Sequence, residues 1–392
     1  MDFYIQMGHG MQGMCQELIK NWGDGTVIVS PVNIDPNKLE SFCEKINNIN
    51  GDVLFDPQMY FPEKYHKNLK KYDYWQYGMN NEKKLVEEIV SLNSNIRSKA
   101  IILPSYTTNK IDSTWLQVQE KIVDEALKHV NDYKLLLTVS LDKDVMKDAG
   151  ELEKIISLLE KLPVKGVYLV CEHPDKLYLV DKPLWLLNLM NLVTAIKRLN
   201  KQVVVGYASH QMLCLSSAKC DAIASGNFLN VRWFQRERFE TLDKNNPSKR
   251  STWYYAPAVL SEFKLAFLDI AYQQDLLGII SPPPSMQSEF SNMLFKGELP
   301  SSSDYSEKHS HRHYLNCLYY QCKESERATY LETYNGQLLQ LQTAETLLRA
   351  LDENGIKGQK RDFTEIVDVT RSALINHNKT YNIILNNIWD KL

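Results

Sequence analysis

The 392-residue chain lacks several features that would place a protein quickly. It has no surplus of one charge: 45 Lys+Arg stand against 48 Asp+Glu, a formal net charge of -3, so no overall basic field announces nucleic acid, although a local patch can still grip phosphate. It has no cysteine framework. The seven cysteines (15, 43, 171, 214, 220, 317 and 322) are odd in number and irregularly spaced, which reads as free, mostly buried thiols in a reducing compartment, with the cytoplasm as the expected location. It has no long apolar run. The nearest, Leu184 to Ile196, is too short to cross a bilayer and is flanked by Lys182 and Lys197, so a buried helix and no membrane partner are expected. No basic segment precedes a long apolar stretch at the start, so no secretory signal is expected, and there is no internal repeat or low-complexity tract.

What is present is a rhythm. Eight short β-branched runs, each followed by a helical stretch or loop, occupy the first 226 residues: Phe3 to Met7, Thr26 to Ser30, Asp52 to Asp56, Ala100 to Leu103, Leu135 to Ser140, Gly166 to Cys171, Gln202 to Tyr207 and Asp221 to Gly226. Strands apolar on both faces belong in a covered parallel sheet, and eight of them with intervening helices predict an α/β fold, a closed (β/α)8 TIM-like barrel. The 3.6-residue period predicts the helices Met11 to Trp22, Pro36 to Asn48, Asn81 to Ser94, Trp115 to Asn131, Glu151 to Leu162 and Pro183 to Asn200, with a short one from Gln211 to Lys219. Asp35-Pro36 is a helix start, an N-cap followed by proline in the first turn.

The chain exceeds one barrel of about 250 residues. The expected division is a barrel with rim insertions over 1–280, a linker over 281–312 punctuated by PPP and SSSD, and a C-terminal helical extension over 313–392. A helix is expected from about Ser261 to Leu277, and three more over roughly His313 to Tyr330, Gly336 to Asn354 and Phe363 to Trp389.

In such barrels function sits on the loops after the strands. The residues there are His9, Asp56 with Gln58, Ser105 with Tyr106, Asp142, Glu172 with His173, Tyr207 with His210, and Ser225 with Asn227. Acids, imidazoles and amides on one rim suit hydrogen-bond recognition of a polar planar ligand, while each one singly also reads as a structural polar residue. Asp56 precedes Pro57, so its backbone is extended and its carboxylate projects from the strand end. His9 lies between two glycines in MGHGM, as a ligand contact or a tight turn. Glu172 is the acid-base candidate.

Two basic and aromatic stretches add to the rim. Arg232, Arg236 and Arg238 interleave with Trp233, Phe234 and Phe239. Lys64, Lys67, Lys70 and Lys71 accompany Tyr72, Tyr74, Trp75 and Tyr77 on the long loop 57–80. Phosphate contact and base stacking use such residues, and so does a salt-bridged surface. His309, His311, His313, Cys317 and Cys322 invite a zinc reading. The five-residue separation of the cysteines instead favours a polar helix entry with buried thiols, so neither metal nor other cofactor is expected.

Cys220-Asp221-Ala222-Ile223-Ala224-Ser225 resembles the G-C-D-x-F-D-S segment of the tRNA-guanine transglycosylase superfamily, and Leu54-Phe55-Asp56 is similar to the place of its base-recognising aspartate. The likeness covers about the first 240 residues. It implies a glycosyltransferase or N-glycosidase acting on a nucleobase or nucleotide in DNA or RNA, in a bacterial modification or anti-phage defence setting. On that reading Asp56, Gln58, Ser105, Tyr207, His210, Ser225 and Asn227 contact the base or ligand, Glu172 and His9 are catalytic, and Arg232, Arg236 and Arg238 hold phosphates. The chain departs from the family at the nucleophile, where the alignment puts Ala224, and a methyl group cannot attack an anomeric carbon. Its zinc segment is absent too. The rival expectation is a catalytically inert barrel that serves as a scaffold or subunit, with a protein partner docking on the C-terminal helices. A small-molecule lyase or isomerase at the same rim is a third.

Overall fold

The computed structural model of the protein describes residues 1–131, 134–234, 236–239 and 251–392; the KNNPSKR tract at 244–250 lies outside these. Eight parallel strands form one sheet: β1 (Asp2–Gln6), β2 (Gly25–Val29), β3 (Gly51–Phe55), β4 (Ile101–Leu103), β5 (Leu135–Leu141), β6 (Gly166–Cys171), β7 (Gln202–Val205) and β8 (Ala222–Ser225). Their order is β3-β2-β1-β8-β7-β6-β5-β4, so strands adjacent in sequence are neighbours and β8 returns to pair with β1. The sheet's two ends, β3 and β4, meet through a bond from Lys99 N to Val53 O (2.9 Å) and the Lys99–Asp52 ion pair (2.8 Å). The result is a nearly closed (β/α)8 barrel.

Each strand up to β6 feeds a helix on the outside: α1 (Gln12–Trp22), α2 (Pro36–Asn47), α3 (Glu82–Asn95), α4 (Ser113–Leu127), α5 (Ala149–Lys161) and α6 (Pro183–Arg198). Their starts follow the cap chemistry. Asp35 accepts from Asn37 N (3.2 Å) with Pro36 in the first turn, and Asp112 accepts from Trp115 N (2.9 Å). A 3-10 helix, His210–Ala218, stands in the seventh place.

The region after β8 differs from expectation in two respects. Leu260 takes a left-handed conformation (φ 51), and Ser261–Lys264 then forms strand β10, antiparallel to β9 (Trp253–Ala256). The helix expected from Ser261 therefore begins only at α7 (Leu265–Gln273). Residues 281–312, expected as a linker, are packed instead: Met286, Phe290, Leu294 and Tyr305 all join the main core. Their proline turns are short 3-10 segments folded onto apolar side chains, which composition alone does not distinguish from open turns. Helix α8 (Glu307–Ser325) packs against β1, α1 and the His210–Ala218 helix, so it fills the eighth outer place in the ring. Helices α9 (Tyr330–Glu353) and α10 (Thr364–Ile388) pair with each other, and α10 lies on α6.

Candidate functional site

Side chains in a strand alternate between faces. Ile28, Leu54, Ile102, Leu136, Tyr168, Val170, Val204, Ala222 and Ala224 make a core of their own, separate from the outer layer, and so mark the lumen. Stepping two residues from Leu54 reaches Asp56, and from Val170 reaches Glu172. The register pairs Leu141 with Cys171, so Asp142 and Glu172 are neighbours at the ends of β5 and β6. The strand ends thus gather three carboxyls at one mouth.

Asp56 is 1% exposed and sits in a cage of phenols. The Tyr60 hydroxyl reaches both its oxygens (3.0 and 2.9 Å), Tyr207 donates to Oδ2 (3.1 Å), and Gln58 N donates to Oδ1 (3.0 Å). The Tyr168 hydroxyl lies between Asp56 Oδ2 (3.3 Å) and Gln6 Oε1 (3.0 Å). Burial pushes the Asp56 carboxyl up to about 6, against the opposing pull of Tyr60, Gln58 N, Tyr207 and the Arg238 charge. Gln58 and Tyr207 both adopt left-handed backbone conformations (φ 54 and 53), uncommon without glycine, and Gln58 Nε2 donates to the Tyr207 hydroxyl (2.8 Å). Strain of this kind persists only where the surroundings over-determine it. Tyr168 fits because position 206 is glycine: a Cβ there would stand 2.4 Å from its hydroxyl.

Above the cage the mouth is covered. Tyr60 and Tyr207 meet Phe234 and Phe239 edge-on at centroid distances of 4.9 to 6.3 Å, and Phe61 joins them. Phe234 and Phe239 belong to the basic and aromatic stretch that follows β8, whereas Tyr60 and Phe61 precede the lysine- and tyrosine-rich stretch from Lys64 to Tyr77 on the same long loop. Arg236 lies over the Phe61 ring (4.6 Å).

Beside this cover lies an open site. Glu172 is pushed up from the ordinary carboxylate range by burial, by the neighbouring Asp142 charge and by the hydrogen bond between the two. Arg236 stands 4.0 Å from Asp142 Oδ2. A cavity of about 340 Å³ opens here, lined by Asp142 and Arg236 together with Tyr106 to Lys110, Asp112 and Thr114.

The other candidates disperse. His9 is exposed, and its carbonyl accepts from Asn227 Nδ2 (3.3 Å). Ser105, Ser225 and Asn227 are buried at the strand ends. His210 is enclosed away from the mouth, its Nδ1 3.3 Å from the Tyr178 hydroxyl and its ring against Tyr255 and Phe363; burial pushes it down to about 4. Arg232 corrects the expectation of a phosphate ligand. It is 2% exposed, with both Glu262 carboxylate oxygens 3.1 Å from Nη1 and Gly226 O 3.0 Å from Nε, so no phosphate reaches it. Burial alone would raise Glu262, but Arg232 and Arg361 outweigh it and hold the carboxyl at about 2. Arg238 is half-buried and donates to Asn230 O (3.0 Å).

In the histidine-rich helix α8, His309 caps the N-terminus with Ser306. His313 Nε2 lies 2.8 Å from Tyr255 O, and its ring stacks on Tyr254. All seven cysteines are buried and unpaired. Among the described residues, Glu87, Glu125 and His129 bring three metal-ligating groups together on the barrel's outside, where Lys128 already neutralises Glu125. Sequence reasoning missed Tyr60, Tyr168 and Glu262. Tyr60 alone left a signal, four residues after Asp56 on the same loop; Tyr168 reads as one more apolar strand residue.

Ala224 faces the lumen and offers only a methyl group there. Asp221 does not replace it: at the opposite end of β8, it binds Lys197 (2.8 and 2.9 Å) and accepts from Val203 N (2.7 Å). No protein-family model matches the chain, and no curated protein does. Among solved structures, a glucosidase from Croceicoccus marinus is similar at a TM-score of 0.34 and 8% identity, over 57% of this chain and 60% of that one. No helix of the described residues is long and apolar enough to cross a membrane.

Proposed function

We propose that the protein recognises a nucleobase or nucleotide at the barrel mouth and cleaves its N-glycosidic bond by acid-base catalysis. One observation carries this reading: Asp142, the neighbour of Glu172, stands beside Arg236 and lines a polar cavity with it. A hydrogen-bonded pair is closer than the roughly 5 Å or more that separates the two carboxyls of ordinary glycosidases. Glu172, pushed upward by burial and by Asp142, serves as the acid of the pair. Water bonds to the anomeric carbon, the C–N bond breaks, the departing base takes the proton from Glu172, and the proton released by water returns to the pair. This route needs no nucleophile at position 224.

The test is a panel of nucleosides, nucleotides and short oligonucleotides against the full chain, read by thermal shift and by chromatography for freed base. Stabilisation by at least one ligand is expected, and Glu172→Gln should cut base release about 100-fold or more while leaving that stabilisation in place. No shift and no freed base across the panel would end the proposal.

A specific observation also favours the scaffold reading. The lumen beneath the mouth is packed shut, while Leu331, Leu339 and Ile383 on α9 and α10 are 53%, 60% and 75% exposed. A defined heteromer in native mass spectrometry, dissolved by Leu339→Asp or Ile383→Asp, would support it.

A further inference from the structure

The cavity beside the carboxyl pair has a composition that discriminates between the parts of a nucleotide. Its charged lining is balanced: Lys110 and Arg236 against Asp112 and Asp142. A phosphate dianion entering it meets two carboxylates along with two cations, so it gains little net attraction, and Arg236 is already turned toward Asp142 at 4.0 Å. Arg232 is sealed on Glu262, and Arg238 is turned to Asn230 O. The site is therefore not built as an anion hole.

Such a lining suits hydroxyls. A sugar hydroxyl both donates and accepts, and it needs acceptor and donor groups side by side without net charge. The lining offers carboxylates as acceptors, guanidinium and ammonium groups as donors, and hydroxyl and amide groups that do both. Thr107 Oγ1 is 2.8 Å from Ser140 Oγ, and Thr108 Oγ1 accepts from Lys110 N (3.2 Å), so these two are fixed in place by the fold. Asn109 and Thr114 are exposed at the cavity edge. Adjacent hydroxyls on neighbouring carbons match such a mixed row, and the half-buried Tyr106 ring adds a flat apolar face. At about 340 Å³ the cavity lies at the small end of ligand sites, nearer one sugar than a whole nucleotide.

We propose that this cavity holds the ribose of the ligand and reads its vicinal 2′- and 3′-hydroxyls, so that the protein selects ribonucleosides over 2′-deoxyribonucleosides. The inference rests on the nucleobase reading above and places the scissile anomeric carbon next to Asp142, the cavity-lining neighbour of Glu172. Phosphate, where present, stays outside.

The experiment is calorimetric titration of the full-length chain with the four common ribonucleosides, their 2′-deoxy counterparts, their free bases, their 5′-monophosphates and inorganic phosphate. Glu172→Gln serves as the binding form, which prevents turnover. At least one ribonucleoside should bind about tenfold or more tightly than its 2′-deoxy form and its free base, and its 5′-monophosphate should differ from it by less than about threefold. Adding Asn109→Ala, an exposed change that leaves the fold intact, should reduce the ribose preference to less than threefold while free-base affinity holds. Equal binding of ribo- and deoxyribonucleosides, or a monophosphate bound tenfold tighter than its nucleoside, would overturn the ribose assignment and leave nucleotide recognition standing. No binding by any compound, with the same silence from the unmodified chain, would overturn both.

Discussion

Asp56→Asn tests whether a carboxylate is held in the lumen at an energetic disadvantage. Burial puts its folded-state pKa at about 6, against an ordinary value of 3.8, a difference of roughly two units. Each unit is about 1.4 kcal/mol, so ionised Asp56 costs the fold about 3 kcal/mol at neutral pH. The sign follows from proton binding. Between the two pKa values the folded state holds the proton more firmly than the unfolded state, so this group's stabilising effect is full below about pH 4 and is lost as pH rises through 6. About 2 kcal/mol of the loss falls between pH 4.5 and 7. Asparagine keeps an acceptor for Gln58 N and Tyr60, and its amide faces Tyr168 and Tyr207, hydroxyls able to accept as well as donate. Urea unfolding of both proteins at half-unit pH steps isolates the term, because other titrations cancel in the difference. Asp56→Asn should gain on the parent by about 2 kcal/mol from pH 4.5 to 7. A pH-independent difference would refute the claim that burial governs this carboxyl.

Two further outcomes follow from the packing. Arg232→Ala leaves Glu262 in the interior with Arg361 as its remaining cation and should cost about 3 to 5 kcal/mol in chemical denaturation; a loss under 1 kcal/mol would mean that the pair is not buried as described. Gly206→Ala forces Tyr168 away from Asp56 and should cost about 1 to 3 kcal/mol, whereas Gly13→Ala in α1, where nothing lies within 4 Å of the added methyl, should be neutral or stabilise by up to about 1 kcal/mol; equal effects from the two would refute the steric account.

The strands and the first six helices were legible because each is set by local signals: β-branched runs, a 3.6-residue period and caps such as Asp35. Asp56 and Glu172 were legible as site candidates for the same reason, since a strand's end and its alternation tell which residues reach the mouth. Arg232 was not. Its neighbours in sequence are those of an exposed basic segment, and only Glu262, brought back on β10, turns it inward.

Sequence by itself therefore determined the eight strands and the first six helices of the barrel, because period and capping act within a few residues. Tertiary structure decided what surrounds each polar group: that three tyrosines from two loops and one strand enclose Asp56, that Asp142 stands beside Glu172, and that α8 fills the eighth outer place about 80 residues after the last barrel strand. Burial and charge pairing arise between residues far apart in the chain, and they depend on distances that no local pattern encodes.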